Sequence, residues 1–326
     1  MAGAKHRRLL ITGATGVLGA GFRALAAEYP EREFRFVSRK DVDLRDAAAT
    51  LALVRAAKPD AILHLAAISG GIELARRYPA RILRDNVAMT FSVLDAAVEA
   101  KIPKTVMTLS SGMYPAAAPQ PNVEDQIHDG RPHDSAYSYA MAKRLIEPAV
   151  RAYRAEFGID AIGLVPSGIF GEDDNYNPED CTWIAGLVRR FAEWTPDAGD
   201  ISIWGDGAPV REITDARDMA RAYLWALDNY SDAAPLNVGC GEGQPIRDVA
   251  MLLAEIAGVP AERVKFDPAR ARGIDKRVTD STRLKKLSGL KFTPLRVSLA
   301  RVFAWYKRTH ETDPGAIRRQ SRFAPE

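Results

Sequence analysis

The sequence has few cysteines, no long apolar run and almost no excess charge of either sign. Cys181 and Cys240 are its two cysteines, too few for a disulfide framework or a zinc site, and they favour a reducing compartment such as the cytoplasm. No run of about 18 apolar residues is present, so a membrane-spanning helix is not expected. The 45 lysines and arginines nearly balance the 42 aspartates and glutamates, which argues against nucleic acid or an anionic membrane as a partner. The basic residues before Leu9 run at once into a glycine-rich stretch, which is not typical of a secretory signal peptide.

A glycine-rich turn near the start predicts a dinucleotide site. A short apolar run, residues 8 to 12, leads into Gly13-Ala-Thr-Gly16-Val-Leu-Gly19 and then into an alanine-rich helical stretch. In this order, the glycines allow a tight turn, a close approach of the pyrophosphate and close packing of helix on strand, while the helix N-terminus faces the phosphates. The alternative is a turn with a structural role only.

The end of the second apolar segment indicates which dinucleotide binds. Residues 34 to 37 are followed by Ser38-Arg39-Lys40 instead of an acidic residue that would accept hydrogen bonds from the adenosine ribose. Two cations and a hydroxyl suit a 2′-phosphate, which favours NADP(H) over NAD(H). A solvated basic loop is the alternative.

Alternating apolar runs and helical stretches predict an α/β protein with a Rossmann, doubly wound parallel sheet and a smaller α/β C-terminal substrate domain. Strands are expected near residues 60–67, 104–109, 159–165 and 236–238, with long helices near 79–100 and 137–157. We expect an NADP-binding domain over residues 1–168, with a returning segment at about 206–240. Residues 169–205 and 241–326 would form the substrate-binding domain.

Tyr139 and Lys143 lie four residues apart on one predicted helix and therefore share a face. A phenol has an ordinary pKa of about 10, so it protonates a carbonyl poorly unless a neighbouring cation stabilises its phenolate. Ser110 follows a predicted strand, where sites form in open α/β sheets. The alternative for the Tyr-x-x-x-Lys pair is a surface helix. His64 is interpreted as a core histidine, and His128 and His133 are assigned to a loop without a metal.

The glycine turn, the serines after a strand and the Tyr139-x-x-x-Lys143 pair resemble, in order and spacing, the extended short-chain dehydrogenase/reductase family. Further segments resemble the GDP-L-fucose synthases within that family. These segments are Ser110-Ser-x-x-Tyr-Pro115, His128-x-Gly-x-Pro-His133, Gly171-x-x-Asp-Asn175-Tyr-Asn-x-Glu-Asp180 and Trp204-Gly-x-Gly-x-Pro-x-Arg211.

The resemblance implies a role for each matching residue. Tyr139 would protonate the C4 oxygen of a keto sugar, Lys143 would lower the pKa of that phenol, and Ser110 would hydrogen-bond the same carbonyl; Tyr137 is assigned to packing. The implied NADP(H) residues are Gly13, Thr15, Gly16, Val17, Leu18, Gly19, Arg39, Leu44, Ala66, Ala67, Lys143, Pro166 and Ile169. The implied residues for the GDP-linked sugar are Ser111, Arg190, Trp204, Arg211 and Arg277. Because family members pair two long helices across a dimer interface, a homodimer through residues 79–100 and 137–157 is expected.

Departures from the family pattern narrow the expected reaction. The fucose synthases carry a cysteine and a histidine that epimerise C3 and C5, and Gly112 and Thr182 stand at those positions here. Cys181 is adjacent but would point about 100° away on a helix. Arg272 also replaces a usual aspartate. We therefore expect an NADPH-dependent C4 ketoreductase of a GDP-4-keto-6-deoxy hexose or heptose. The alternatives are a complete GDP-L-fucose synthase with another acid/base pair, a sugar-nucleotide epimerase or dehydratase with bound NAD⁺, or an NADP sensor without activity.

Overall fold

The computed structural model describes residues 5–269 and 274–319, so the departure at Arg272 lies outside the described residues. Its strands are β1 (Arg8–Thr12), β2 (Glu33–Val37), β3 (Ala61–His64), β4 (Lys104–Thr108), β5 (Ala161–Pro166), β6 (Ile169–Phe170), β7 (Ile201–Trp204), β8 (Val210–Glu212), β9 (Thr214–Asp215), β10 (Leu236–Val238), β11 (Gly243–Pro245), β12 (Val264–Asp267) and β13 (Lys276–Arg277). Its helices are α1 (Val17–Leu25), α2 (Ala47–Ala57), α3 (Ile72–Arg77), α4 (Pro79–Glu99), α5 (Tyr137–Arg144), α6 (Ile146–Phe157), α7 (Trp183–Ala192), α8 (Ala216–Asn229), α9 (Ile246–Ala257), α10 (Thr282–Ser288) and α11 (Leu295–Thr312).

A six-stranded parallel sheet in the order β10-β5-β4-β3-β1-β2 forms the centre of the molecule. The strands β1, β3 and β5 are short and mainly apolar, and β4 is buried along its whole length, as expected of strands with both faces covered. The strand β2 lies on one side of β1, and the chain then crosses to β3 on the other side, where the strand order reverses. Ligands bind at such a switch point, outside the carboxyl ends of the strands.

Helices cover both faces of this sheet, as predicted. On one face, α1 packs against α8, and the rings of Phe22 and Tyr223 meet edge to face with centroids 6.3 Å apart. On the other face lie α2, α4, α5 and α6, whose buried side chains include Val54, Val93 and Ile146. The predicted Rossmann-type α/β fold is confirmed.

The C-terminal part has a core of its own between α7, α9 and α11, with Phe191, Leu253 and Tyr306 buried at its centre. Two small sheets accompany it, β11-β8-β13 and β12-β7, while β6 pairs with β9 beside the central sheet. The division of the chain into the two domains given above stays a prediction.

Two elements differ from the expectations. The single helix predicted over residues 137–157 is interrupted at Leu145, because Pro148 has no N–H to donate to the carbonyl of Arg144. The short helix α10 was not among the predicted elements. Within the described part of the chain, no helix has both the length and the apolar character needed to cross a membrane.

Candidate active site

A cavity of about 700 Å³ opens at the carboxyl ends of β1, β3, β4 and β5. Its wall includes all the predicted catalytic and cofactor residues: Gly13, Thr15, Gly16, Val17, Leu18, Gly19, Arg39, Leu44, Ala66, Ala67, Ser110, Tyr139, Lys143, Pro166 and Ile169. Residues from six separate parts of the chain therefore meet in one place, at the switch point of the sheet.

The glycine turn at one side of the cavity requires glycine at two positions. Gly13 has a φ of +71°, and a Cβ atom there would lie 2.6 Å from the backbone nitrogen of Ala66. A Cβ atom on Gly19 would lie 2.4 Å from the carbonyl oxygen of Ala14, so α1 could not approach the turn as closely. Gly16 caps α1 without any side-chain hydrogen bond, which leaves the first amides of the helix available for a phosphate. The turn thus fits the pyrophosphate of a dinucleotide.

The end of β2 supplies the polar groups at the adenosine side of the cavity. Arg39 lines the wall, whereas the hydroxyl of Ser38 donates to Asp41 Oδ2 at 2.8 Å. Asp43 and Arg45, which the sequence did not single out, also line this end. Hydrogen bonds from Arg45 lower the pKa of Asp43 to about 2, so Asp43 is ionised and balances the cation beside it.

Lys143, Ser110 and Tyr139 line one part of the cavity. The ammonium of Lys143 is buried and donates to the carbonyl oxygen of Thr108 at 2.8 Å. Burial lowers the pKa of Lys143 to about 8. Ser110 follows β4, and its Oγ accepts a hydrogen bond from Gly112 N at 3.2 Å. Tyr139 lies one turn before Lys143 on α5 and lines the same wall. The three groups therefore face one cavity from two elements.

The three histidines His64, His128 and His133 lie on β3 and in the segment before α5. His64 is buried on β3, where its Nδ1 lies 3.0 Å from Thr12 Oγ1, and burial followed by the charge of Lys143 lowers its pKa to about 3. His64 is therefore a core histidine, as predicted. His128 pairs with Glu147 at 2.9 Å, and His133 Nδ1 accepts from Ser135 N at 3.2 Å.

Among the predicted substrate residues, only Ser111 lines the cavity; Arg190, Trp204, Arg211 and Arg277 lie outside its wall. Arg211 on β8 stands opposite Arg277 on β13. Burial and then the charge of Arg277 lower the pKa of Arg211 to about 10, and burial lowers the pKa of Arg277. Trp204 is 63% exposed, and Arg190 is held by the carbonyls of Gly186 and Ser202.

Gly112 and Thr182, which the resemblance assigns to the positions of the epimerising cysteine and histidine, carry no titratable side chain. A Cβ atom built on Gly112 has one neighbour within 4 Å, Ser110 Oγ at 3.4 Å, so the space there is open. Thr182 lines the cavity, and its Oγ1 caps α7 by accepting from Ala185 N at 3.4 Å. Cys181 packs against Gly186, away from the lining, and burial raises the pKa of its thiol.

An acidic part of the wall was missed as a site by sequence reasoning, although it lies within the Gly171 to Asp180 motif. Asp174, Asn175 and Asp180 line the cavity. Asn175 Nδ2 donates to Asp180 Oδ1 at 2.6 Å, while within the described residues Asp180 Oδ2 is buried without a hydrogen-bond partner. A buried carboxylate oxygen of this kind suits a hydroxyl donor on a ligand.

The parallel sheet, the glycine turn and the Ser110, Tyr139 and Lys143 groups define an extended short-chain dehydrogenase/reductase. Residues 9–239 match the model of the NAD dependent epimerase/dehydratase family, and the chain belongs to this family.

Similar proteins and solved structures support this family assignment. A GDP-L-fucose synthase from Dictyostelium discoideum is 32% identical over 94% of this chain and 97% of its own length. A GDP-L-fucose synthetase from Naegleria fowleri, solved with NADP bound, is 26% identical with a TM-score of 0.86, over 94% of this chain and 95% of that one. A GDP-mannoheptose C4 reductase from Campylobacter jejuni shares the fold at 22% identity, with a TM-score of 0.83 over 92% and 98% of the two chains.

Proposed function

We propose that this chain is an NADPH-dependent C4 ketoreductase of a GDP-linked 4-keto-6-deoxy sugar, hexose or heptose, and that it does not epimerise C3 or C5. One observation carries the proposal. The cavity is lined by Ser110, Tyr139 and Lys143, a complete set for reduction, whereas Gly112 and Thr182, which the resemblance assigns to the epimerising positions, provide no acid or base.

The broader assignment rests on the relatives. The predicted NADP(H)-dependent oxidoreductase of nucleotide sugars is confirmed by the fucose synthase homologues and by the NADP-bound structure among them. The particular sugar and the absence of epimerisation are the parts that we propose.

The residues of the cavity fit the cofactor from end to end. The amides at the start of α1 and the turn from Gly13 to Gly19 would hold the pyrophosphate, and Arg39 the 2′-phosphate. Lys143 would bind the nicotinamide ribose, with Pro166 and Ile169 beside the carboxamide. When bound, NADPH supplies the hydride that reduces C4.

Tyr139 supplies the proton in this reaction. As C4 is reduced, charge develops on its oxygen, and the phenol of Tyr139 donates its proton there. Lys143 stabilises the phenolate, since with a pKa of about 8 its ammonium is mostly protonated near neutral pH. Ser110 donates a hydrogen bond to the same oxygen and lowers the cost of its charge.

Arg211 and Arg277 supply the binding site for the diphosphate of the GDP sugar. Two neighbouring guanidinium groups on adjacent strands repel each other, and a diphosphate between them removes this repulsion while accepting bidentate hydrogen bonds. The exposed ring of Trp204 offers an apolar surface to the nucleotide. The sugar then enters the cavity past Ser111.

The test is incubation with GDP-4-keto-6-deoxymannose and NADPH in D2O. NADPH consumption with no deuterium at C3 or C5 of the product is the expected result. Deuterium at either carbon would mean that the enzyme epimerises with another pair, and Asp180 would then be the first candidate base because its carboxylate lines the cavity. If NADPH is not consumed with this sugar or with the corresponding heptose, the reductase assignment itself fails.

We also propose that the enzyme is a homodimer through α4 and α6. Leu83 on α4 and Phe157 on α6 are 39% and 47% exposed, and the ring of Tyr153 lies between those of Phe91 and Phe157. Sedimentation velocity should give a dimer that Phe157→Glu dissociates. The matched control is Leu287→Glu on α10, which is also exposed and should leave the dimer intact. A monomeric wild-type protein would contradict this proposal.

A further inference from the structure

The chain after α11 returns to the cavity. A turn at Pro314–Ala316 is followed by Ile317, whose side chain is 4% exposed in the C-terminal core. The next residue, Arg318, is fixed through its backbone, because its carbonyl oxygen accepts a hydrogen bond from Tyr176 N at 2.9 Å. The buried side chain of Ile317 and the hydrogen bond from Tyr176 therefore fix the position of Arg318 beside the acidic part of the cavity wall.

From this place the side chain of Arg318 reaches the glycine turn. Its Nη1 donates to the carbonyl oxygen of Thr15 at 2.9 Å, and Thr15 lies between Gly13 and Gly16. Its Nη2 lies 3.9 Å from Asp174 Oδ1. Arg318 is one of the residues that line the cavity, together with Thr15, Gly16 and Val17.

The other cations of the described wall contact other groups, and Arg81 pairs with Asp85 on α4. Arg45 is held by Asp43 and Asp85, and Lys143 is bonded to Thr108 on the far side. Arg39 follows β2 at the adenosine end. Arg23 also contacts the turn, at the carbonyl of Ala14, but it pairs with Asp173 and does not line the cavity. Arg318 is thus the cation that contacts the glycine turn from the cavity side.

We propose that Arg318 is a cofactor-binding residue that donates to the pyrophosphate of the dinucleotide bound on the glycine turn. A guanidinium has five N–H donors in a planar fork, so it can hold the carbonyl of Thr15 and a phosphate oxygen at the same time. The segment that carries it packs on the C-terminal core, so the cofactor is held from both parts of the molecule. This inference rests on the proposed use of NADPH.

The test is direct titration of dinucleotide binding, followed by quenching of protein fluorescence. Arg318→Gln should weaken the binding of NADPH and of NADH by the same factor, about tenfold or more, because both carry the pyrophosphate. Arg39→Gln should weaken NADPH alone. The matched control is Arg319→Gln, since Arg319 bonds Glu193 and the Tyr306 hydroxyl and does not line the cavity. Its affinity for both dinucleotides should equal that of the wild type.

Two further measurements separate a phosphate contact from support of the turn. Adenosine 2′-monophosphate lacks the pyrophosphate, so Arg318→Gln should leave its affinity unchanged in competition with NADPH. Arg318→Lys keeps the charge and should bind NADPH more tightly than Arg318→Gln. Unchanged NADPH binding in Arg318→Gln, equal loss of adenosine 2′-monophosphate, or no advantage of lysine over glutamine would each overturn the inference. A wild-type protein that binds neither dinucleotide would instead contradict the proposed function.

Discussion

The ammonium of Lys143 donates a hydrogen bond to the carbonyl oxygen of Thr108 at 2.8 Å and so joins α5 to the end of β4. Ser110 follows the same strand, and Tyr139 precedes Lys143 by one helical turn. This single contact therefore sets the positions of a hydroxyl, a phenol and an ammonium relative to one another. It also requires a buried cation, and the cost of that burial appears as the lowered pKa of Lys143.

Stability of the ligand-free protein should depend on pH through Lys143. Its pKa falls from 10.5 to about 8 on folding. Below the pKa of the folded state, Lys143 is protonated in both the folded and the unfolded protein, and the folded protein bears the full cost of the buried charge. Between the two values the unfolded state binds the extra proton, so the free energy of unfolding rises with pH, by up to roughly 3 kcal/mol in total. We expect this rise in wild type relative to Lys143→Met in urea titrations from pH 7 to 10. A difference between the two proteins that is constant over this range would contradict the lowered pKa.

Replacing Tyr139 by Phe should reduce kcat by about 100-fold or more, because the carbonyl loses its proton donor. The dissociation constant for NADPH should stay nearly unchanged. Tyr137→Phe is the matched control. Tyr137 is 37% exposed, and Arg131 Cζ lies 4.6 Å from the centroid of its ring. Its hydroxyl should therefore not be needed for turnover. Retained activity in Tyr139→Phe would show that another group is the acid.

The binding of GDP should depend on the pair formed by Arg211 and Arg277. Arg277→Gln removes one of the two cations, and we expect GDP to bind about tenfold more weakly while NADPH affinity is unchanged. Isothermal titration with both ligands measures this. Arg296→Gln is the control. Arg296 is exposed on α11 and pairs with Glu255 on α9, so its replacement should change neither affinity. Equal GDP binding in the wild type and Arg277→Gln would place the diphosphate elsewhere.

Restoring the absent acid and base should bring back proton exchange. The open space at Gly112 accepts a cysteine side chain, so Gly112→Cys combined with Thr182→His should incorporate deuterium at C3 or C5 in D2O, measured by mass spectrometry. Because Thr182 caps α7, the histidine should also cost about 1 kcal/mol of stability, whereas the Thr182→Ser control keeps the cap and should neither exchange nor lose stability. No exchange in a folded double variant would count against these positions as the site of epimerisation.

Sequence patterns predicted the parts of the site whose residues lie close together along the chain. Gly19 is required by its contact with Ala14 in the same turn, and Gly13 by its positive φ as well as by its contact with the more distant Ala66. Tyr139 and Lys143 share a face because of the helical repeat itself. The break at Leu145 could also have been predicted, because a proline at position 148 disrupts a helix. The helical spacing of apolar residues over 137–157 instead favoured one continuous helix.

The remaining features arise from contacts between distant parts of the chain. The sequence by itself determined the fold class, the glycine turn and the pair formed by Tyr139 and Lys143, because each depends on short-range sterics and on the periods of strand and helix. Only the tertiary structure decided that Arg318 meets Thr15, 303 positions away, and that the buried carboxylate of Asp180 lines the cavity. The sequence cannot distinguish an arginine in solvent from one that lines a cavity, because the difference depends on how the C-terminal segment packs against the glycine turn.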